Sequence, residues 1–337
     1  MDDELNDLHD VRPGDELDRV ALERHLRGVL ELPDAPLQVR QFTGGAANLT
    51  YLASFGDVRV VVRRPPRGTI APGAHDMARE HKVLARLSDA YPRAPRALHF
   101  TDDVSIIGAP FVVVECRDGV VLRDELPDAM AQHTDVERRL DVALMDAVAD
   151  LHAVDPAAVG LDDLGRPDGY ARRQVDGWRD RWQRVAPDDD RGAMDEVAGR
   201  LTAKLPEPQR VAIVHNDLKL DNCQFQVADP DVVTSVFDWD MATLGDPLFD
   251  LGLVLTSMAR SPLWVLDPPE AAAHYGARAG LDVSELDWYL AFATWRTDVV
   301  IQQLHRRFVA GDAADPRLAS LGDAIETCVQ RALDLTR

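Results

Sequence analysis

Residues 215–222 read HNDLKLDN, and residues 237–240 read FDWD. The first stretch has the spacing H-x-D-x-x-x-x-N and follows a short apolar, strand-like segment, and a predicted hairpin separates it from the second. Phosphoryl transfer needs one carboxylate beside the attacking hydroxyl, and an amide oxygen and a second carboxylate to hold Mg²⁺. Asp217, Asn222 and Asp238 supply these groups, and the hairpin would bring Asp238 back beside Asn222. The two stretches therefore predict a phosphoryl-transfer site.

Upstream of this site, the sequence alternates between short strand-like runs and turns. The segments Leu37–Thr43, Leu49–Ser54 and Val58–Arg63 are rich in β-branched or aromatic residues. The glycine-containing stretch 44–48 and the Phe-Gly-Asp stretch 55–57 separate them. This pattern predicts an antiparallel meander of three strands with a glycine loop in its first turn.

The rest of the chain changes from strand-rich to helix-rich near residue 117. The other predicted elements are a leading helix after Asp15, a helix over 75–88, a buried strand over Ile106–Glu115, a long helix over Val136–Val154, and strands over Val211–Val214, Cys223–Val227 and Val232–Phe237. We therefore expect an α+β protein with a β-rich amino lobe over residues 1–116 and a mostly helical carboxy lobe over residues 117–337. A length of 337 residues agrees with two units of about 150 residues each.

The composition argues against several classes of function. The chain has 37 Lys and Arg against 58 Asp and Glu, a formal net charge of −21, so a nucleic acid would be repelled on average. Cys116, Cys223 and Cys328 form no C-x-x-C pair, which argues against a disulfide framework and a thiolate zinc site. The acidic amino terminus and the lack of an apolar run of about 18 residues indicate a cytoplasmic protein with no membrane partner. Any anion-binding site in this protein must bind its ligand despite the repulsion from the protein's net negative charge.

Several longer stretches carry a family resemblance in a fixed order. They are TGGAANLTY at 43–51, VVVRRPPRG at 60–68, AHDMAREHKVL at 74–84, GAPFVVVE at 108–115, LHAVDP at 151–156, GRPDGYARRQVDGW at 165–178, HNDLKLDN at 215–222 and FDWDMATLGDPLFDLG at 237–252. Together they resemble the aminoglycoside phosphotransferase family, which has a bilobal protein-kinase-like fold. Within that family the chain is most similar to the kinase-like proteins related to the domain fused to certain acyl-CoA dehydrogenases.

The resemblance implies roles for individual residues, with ATP and Mg²⁺ as cofactors. Asp217 would be the catalytic aspartate, His215 would support its loop, and Asn222 and Asp238 would ligate Mg²⁺. The backbone amides of Gly44 and Gly45 would approach the ATP phosphates, and Glu80 would pair with a basic residue of the third strand. Val114, Glu115 and Cys116 would form the hinge, whose backbone groups would meet adenine. The residues expected to bind the nucleotide are Gly44, Gly45, Asn48, Arg63, Glu80, Glu115 and Cys116.

The sequence departs from the family pattern at two positions. Arg63 and Arg64 stand where broader kinase-like proteins have lysine, and strand alternation, which puts Arg63 on the face of Val61, favours Arg63 as the nucleotide contact. The second departure is Asn216, where many relatives have glycine or arginine. Asp246 and Asp250 are expected to support the catalytic loop, and Asp240 either supports the loop or contacts substrate.

The expected activity is transfer of phosphate to a hydroxyl group of a small molecule. The resemblance suggests a hydroxyacyl-CoA or related metabolite as the acceptor, and an aminoglycoside is the alternative. A non-catalytic nucleotide-binding scaffold is a second alternative, supported only by arginine in place of lysine. A protein kinase is less favoured, because Gly245 follows Asp238 too closely to leave room for a peptide-binding activation segment. Because Mg²⁺ would supply positive charge that the composition lacks, we expect nucleotide affinity to depend strongly on Mg²⁺.

Overall fold

Antiparallel strands in the first part of the chain and helices in the second make up this computed structural model, which describes residues 8–43, 48–67, 75–186, 192–309 and 325–336. The strands are β1 (Leu8–His9), β2 (Leu37–Phe42), β3 (Leu49–Phe55), β4 (Val58–Arg64), β5 (Ala97–Thr101), β6 (Phe111–Glu115), β7 (Val120–Val121), β8 (Ala212–Val214), β9 (Cys223–Gln226), β10 (Asp229–Val236) and β11 (Thr243–Gly245). The helices are α1 (Arg19–Val29), α2 (Met77–Leu87), α3 (Val136–His152), α4 (Tyr170–Val185), α5 (Gly192–Ala203), α6 (Leu248–Met258), α7 (Pro268–Ala279), α8 (Leu286–Val309) and α9 (Ile325–Leu335).

The amino-terminal sheet has six strands in the order β1-β2-β3-β4-β6-β5, and all neighbouring strands are antiparallel. Its two faces contact different apolar clusters. Val113 packs in one cluster with residues of α1, whereas Val112 and Val114 pack in the larger cluster with residues of α2. Successive strand residues point to opposite faces, which explains this division.

Helix α2 places Glu80 toward the sheet. The side chain of Asp76 caps the helix by accepting a hydrogen bond from the backbone N–H of Arg79 (2.9 Å). Val83 and Leu84, three and four residues after Glu80, lie on the same helix face and are buried. Glu80 therefore enters the protein on the apolar side of its helix.

Two small sheets hold the motif loops in the carboxy-terminal part. β8 pairs with β11, and β9 pairs with β10, so that Cys223 lies opposite Val236. The loop over 215–222 runs from β8 to β9, and the loop over 237–242 runs from β10 to β11. Hydrogen-bonded strands therefore bring the ends of the two motif loops together.

The expected α+β fold with an antiparallel amino-terminal sheet and a helical carboxy-terminal part is confirmed. One expectation within it was wrong: the strand predicted over Ile106–Glu115 begins only at Phe111. The backbone N–H of Gly108 donates to Val104 (2.9 Å), and Gly108 has a left-handed φ of 82°, so this stretch forms a turn. The boundary near residue 117 stays a prediction, because the larger apolar cluster includes residues on both sides of it.

Within the described ranges, no helix combines the length and the apolar character that crossing a membrane requires.

A buried carboxyl group in α3 predicts how stability changes with pH. Burial raises the pKa of Asp141 to about 6, although the backbone N–H groups of Val265 and Leu266 donate to its Oδ2 (2.9 Å each) and oppose this shift. The unfolded chain releases the proton at lower pH than the folded chain, so the stabilisation by the protonated form is complete below about pH 4 and is lost as the pH rises through about 6.

Asp141→Asn keeps an acceptor oxygen without the charge. We expect its unfolding free energy, relative to the wild type, to increase by up to about 3 kcal/mol between pH 4 and pH 7. Urea unfolding across this pH range measures the difference, with the exposed Asp287→Asn as the control. Parallel stability curves for Asp141→Asn and the wild type would contradict the prediction.

Candidate active site

The loop between β8 and β9 presents Asp217 at the cleft. Its side chain is 36% exposed, and the Nδ2 of Asn222 donates both to its Oδ2 (3.0 Å) and to its backbone carbonyl (2.7 Å). Lys219 Nζ lies 3.2 Å from the same Oδ2. These contacts orient the carboxylate without removing it from solvent, so a substrate hydroxyl can reach it.

Buried polar groups hold this loop from behind. Asp250, at the start of α6, accepts hydrogen bonds from the backbone N–H groups of His215 (2.6 Å) and Asn216 (2.8 Å). Burial acts to raise the pKa of Asp250, but contacts with His152 and His215 lower it below its usual value. The His215 ring is within hydrogen-bond distance of the carbonyl of Phe237 (Nε2 to O, 3.1 Å), and it packs against Trp239. The structure therefore places His215 as a support between the two motif loops.

Asp238 lies beside Asn222, as the hairpin spacing predicts. The backbone N–H of Phe237 donates to the carbonyl of Asn222 (3.0 Å), and Asp238 itself has a left-handed φ of 74°. Non-glycine residues adopt this conformation rarely, and it is common at functional sites. Burial acts to raise the pKa of Asp238, but the charge and hydrogen bond of Arg63, together with the charges of His215 and Lys219, lower the pKa below its usual value. The carboxylate is therefore held ionised.

Arg63 links the amino-terminal sheet to Asp238. Its Nη2 donates to Asp238 Oδ1 (2.5 Å), and its Nε lies 3.1 Å from Glu80 Oε1. Arg63 and Glu80 are 5% and 1% exposed, so the pair is held out of water. Burial raises the pKa of Glu80 to about 7, against the opposing charge of Arg63. Arg64 points elsewhere, because its Nη1 donates to the carbonyl of Ile107 (2.7 Å).

Asn48 connects the end of the glycine loop to the second motif. Its Nδ2 lies 3.3 Å from Asp238 Oδ1 and 3.2 Å from Asp240 Oδ2, and its Oδ1 lies 3.0 Å from His75 Nδ1. Asp240 is buried, and burial and then the charge of Asp238 raise its pKa. This position favours support over substrate contact for Asp240. Gly44 and Gly45 lie outside the described residues.

One cavity of about 680 Å³ joins these groups to the hinge. Its volume falls in the range of about 300–1,000 Å³ that small-molecule sites occupy. Glu115 and Cys116 line it, as do Arg63, Asp217 and Asp238. The backbone N–H of Glu115 already donates to the carbonyl of Arg96 (3.0 Å), so other backbone groups of the hinge would meet a bound base.

Sequence reasoning missed the residues that fix Asn216. The Tyr170 hydroxyl donates to its Oδ1 (2.7 Å), Arg296 Nη2 donates to its carbonyl (2.7 Å), and its own Nδ2 donates to the carbonyl of Met241 (3.1 Å). Asn216 has a left-handed φ of 66°. Asparagine is among the residues that tolerate this conformation, which is the one signal that the sequence offered. Sequence reasoning also missed two contacts: that of Lys219 with Asp217, and that of His152 with Asp250 (Nε2 to Oδ2, 3.2 Å).

The donor atoms of Asn222 and Asp238 suit a hard divalent cation. Asn222 uses its amide nitrogen on Asp217, so its oxygen is the atom that it can offer, and Asp238 is an ionised carboxylate. Mg²⁺ prefers such oxygen ligands and commonly binds one or two protein groups together with phosphates. Within the described ranges, His, Cys, Asp and Glu do not gather in threes around a common point.

Comparison with known proteins agrees with this geometry. A sequence model of the phosphotransferase enzyme family matches residues 38–292. Acyl-CoA dehydrogenase family member 10 of Mus musculus is 29% identical over 331 residues, which cover 93% of this chain and 31% of that protein. Acyl-CoA dehydrogenase family member 11 of Gallus gallus is 28% identical, over 97% of this chain and 44% of that protein. The chain thus spans less than half the length of these relatives.

Solved structures show the same fold. A candidate aminoglycoside phosphotransferase from Ralstonia eutropha superposes with a TM-score of 0.79 at 27% identity, covering 95% of this chain and 98% of that one. A thermostable aminoglycoside phosphotransferase with ADP and hygromycin B bound gives a TM-score of 0.60 at 16% identity, covering 94% and 97% of the two chains. At 16% identity, the second structure shows similarity of fold alone.

Proposed function

Because this chain belongs to the phosphotransferase enzyme family, we propose that it transfers the γ-phosphoryl group of ATP to a hydroxyl group of a small molecule. One observation carries the proposal: Asp217, Asn222 and Asp238 meet in a single cleft. The side-chain amide of Asn222 donates a hydrogen bond to Asp217 (3.0 Å), and the backbone N–H of Phe237, next to Asp238, donates to the carbonyl of Asn222 (3.0 Å). A carboxylate, an amide oxygen and a second carboxylate in this arrangement are what phosphoryl transfer requires.

Asp217 would orient the acceptor hydroxyl and accept its proton. The acceptor oxygen forms a bond to the γ-phosphorus, the bond from that phosphorus to the bridging oxygen breaks, and ADP leaves. The Asn222 and Lys219 contacts aim the carboxylate before the substrate arrives, so that less alignment remains to be made during the reaction. Lys219, which contacts Asp217, would offset charge on the transferring phosphoryl group.

The metal and nucleotide contacts come from groups on both sides of the cleft. Mg²⁺ would neutralise charge on the ATP phosphates, and Asn222 and Asp238 would hold it. Arg63, fixed by Glu80, would contact the phosphates, and Gly44, Gly45 and Asn48 would form the loop above them. Glu115 and Cys116 would flank adenine at the hinge.

For the acceptor we propose a hydroxylated acyl metabolite, such as a hydroxyacyl-CoA. The curated relatives that match along most of this chain are named as acyl-CoA dehydrogenase family members, which supports an acyl substrate. The solved structure with hygromycin B bound supports the alternative of an aminoglycoside acceptor only through its fold.

A turnover panel tests the proposed function. Purified protein with ATP and Mg²⁺ should release ADP faster with a 4-hydroxyacyl-CoA than with kanamycin or with no acceptor. Preferential stimulation by kanamycin would favour the antibiotic kinase. Stabilisation by ATP and Mg²⁺ without ADP release on any alcohol would contradict an enzyme and favour a nucleotide-binding scaffold.

A further inference from the structure

Two arginine side chains meet the ring of Trp178 next to the catalytic loop. The guanidinium carbons of Arg181 and Arg296 lie 4.6 and 4.9 Å from the centre of this ring, within the range of a cation–π contact. Arg296 Nη2 donates to the backbone carbonyl of Asn216, the residue before Asp217 (2.7 Å). Arg296 therefore connects the Trp178 ring to Asn216, the residue that precedes Asp217.

Within the described segments, neither arginine forms an ion pair with a carboxylate. Across the described segments, the hydrogen bonds of Arg296 and Arg181 go to backbone carbonyls, those of Asn216 and Gly177. Arg179 on the same helix, by contrast, pairs with Asp176 (3.0 Å). A charged group out of water is costly unless it is paired, and Arg296 is only 7% exposed. The nearby charges of Asp217 and Asp250 offset part of this cost, but they make no ion pair with Arg296.

The two cations also oppose each other. Burial is the main cause that lowers the pKa of Arg296, the charge of Arg181 lowers it further, and the charge of Asp217 is the main opposing influence. Asp217 already accepts hydrogen bonds from Asn222 and Lys219. An anion bound beside these guanidinium groups would offset their like charges.

The arrangement leaves such an anion a way in. Arg181 lies on the exposed side of α4, and the Asp217 side chain is 36% exposed. Within the described part of the chain, Arg296 donates its hydrogen bond through Nη2, and its Nε and Nη1 atoms are not fully buried, so these two donors keep contact with solvent. Arg181 is therefore open to solvent, and Arg296 keeps a small contact with it.

We propose that Arg296 and Arg181 bind an anionic group of the phosphoryl acceptor, a carboxylate or a phosphate, beside the ring of Trp178. This inference rests on the proposed function, since it places the acceptor hydroxyl at Asp217. A guanidinium group matches both anions with two parallel hydrogen bonds. The acceptor is then a hydroxycarboxylate or an alcohol that carries a phosphate, as a hydroxyacyl-CoA does, and a polyamine such as an aminoglycoside would be repelled at this position.

Binding to the full chain without ATP tests the inference. The probes are 4-hydroxybutyrate, glycerol 3-phosphate, 4-hydroxybutyryl-CoA and kanamycin, each titrated to millimolar concentration and followed by calorimetry and thermal shift. We expect an anionic probe to bind the wild type and Arg181→Ala to weaken it about 10- to 100-fold. Arg296→Gln should weaken it at least as much, whereas Arg179→Ala, on the same helix, should leave it unchanged. Comparing 4-hydroxybutyrate with glycerol 3-phosphate shows whether the site prefers a carboxylate or a phosphate. Comparing 4-hydroxybutyrate with 4-hydroxybutyryl-CoA shows whether it prefers the free acid or the thioester.

Two results would overturn the inference: no anionic probe binds the wild type, or Arg181→Ala binds every anionic probe as the wild type does. Arg181 is exposed, so its replacement keeps the test valid even if Arg296→Gln fails to fold. A parallel titration with ATP and Mg²⁺ separates the two proposals. If anions bind and the nucleotide does not, the phosphotransferase proposal fails and the anion site stands, whereas the reverse result removes the anion site alone.

Discussion

Asp217→Asn is expected to lower kcat by about 10³-fold and to change the affinity for ATP and Mg²⁺ by less than about threefold. The amide keeps the size of the side chain and an oxygen that can accept from Asn222, but it cannot take up the acceptor proton. Nucleotide binding depends on other groups, so it should persist. Single-turnover phosphoryl transfer and a calorimetric titration measure the two quantities separately.

Asp221→Asn is the matched control for this variant. It removes an equal charge four residues further along the same loop, at an exposed position. We expect its kcat to stay close to that of the wild type. Full activity of Asp217→Asn on a cognate alcohol would show that the proposed mechanism is wrong.

Asp238→Asn should abolish the dependence of nucleotide binding on Mg²⁺. Loss of even an outer partner of a metal ligand commonly costs about 10- to 100-fold in affinity, so loss of the carboxylate itself should weaken ATP binding in Mg²⁺ by at least about 100-fold. The net charge of −21 strengthens this expectation, because phosphates would otherwise approach an acidic protein without a bridging cation.

The wild type in excess EDTA is the matched control, since it should bind ATP as weakly as Asp238→Asn does in Mg²⁺. Thermal unfolding without nucleotide checks that the variant folds, because Arg63 loses one of its two carboxylate partners but keeps Glu80. Equal ATP affinity of the wild type in Mg²⁺ and in EDTA would contradict both the metal site and the role of Asp238.

Much of the site followed from local sequence. Strand alternation favoured Arg63 over Arg64 as the nucleotide contact, which stays a prediction; the structure turns Arg63 to Glu80 and Arg64 to the carbonyl of Ile107. The pairing of Glu80 with a basic residue of the third strand came from the family resemblance, and the predicted hairpin put Asp238 beside Asn222. The strand alternation and the hairpin are both local. The first lies within one strand and the second joins two neighbouring strands, where the backbone geometry repeats regularly.

The strand over residues 106–115 shows where local pattern failed. Its apolar run was continuous, but Gly108 adopts a left-handed φ and turns the chain, so pairing starts only at Phe111. A run of apolar residues reports burial, and it does not distinguish a strand from a buried turn.

By itself, the sequence determined the α+β class, the order of the motifs and the side chains that could carry phosphoryl transfer, because these depend on residue type and short spacing. Only the tertiary structure decided what surrounds Asp217. The contacts that Tyr170 and Arg296 make with Asn216 span 46 and 80 residues, and the approach of Arg181 to Trp178 depends on side-chain direction. Contacts between distant residues leave no periodic signal in a single sequence, since they arise when helices formed independently pack against one loop.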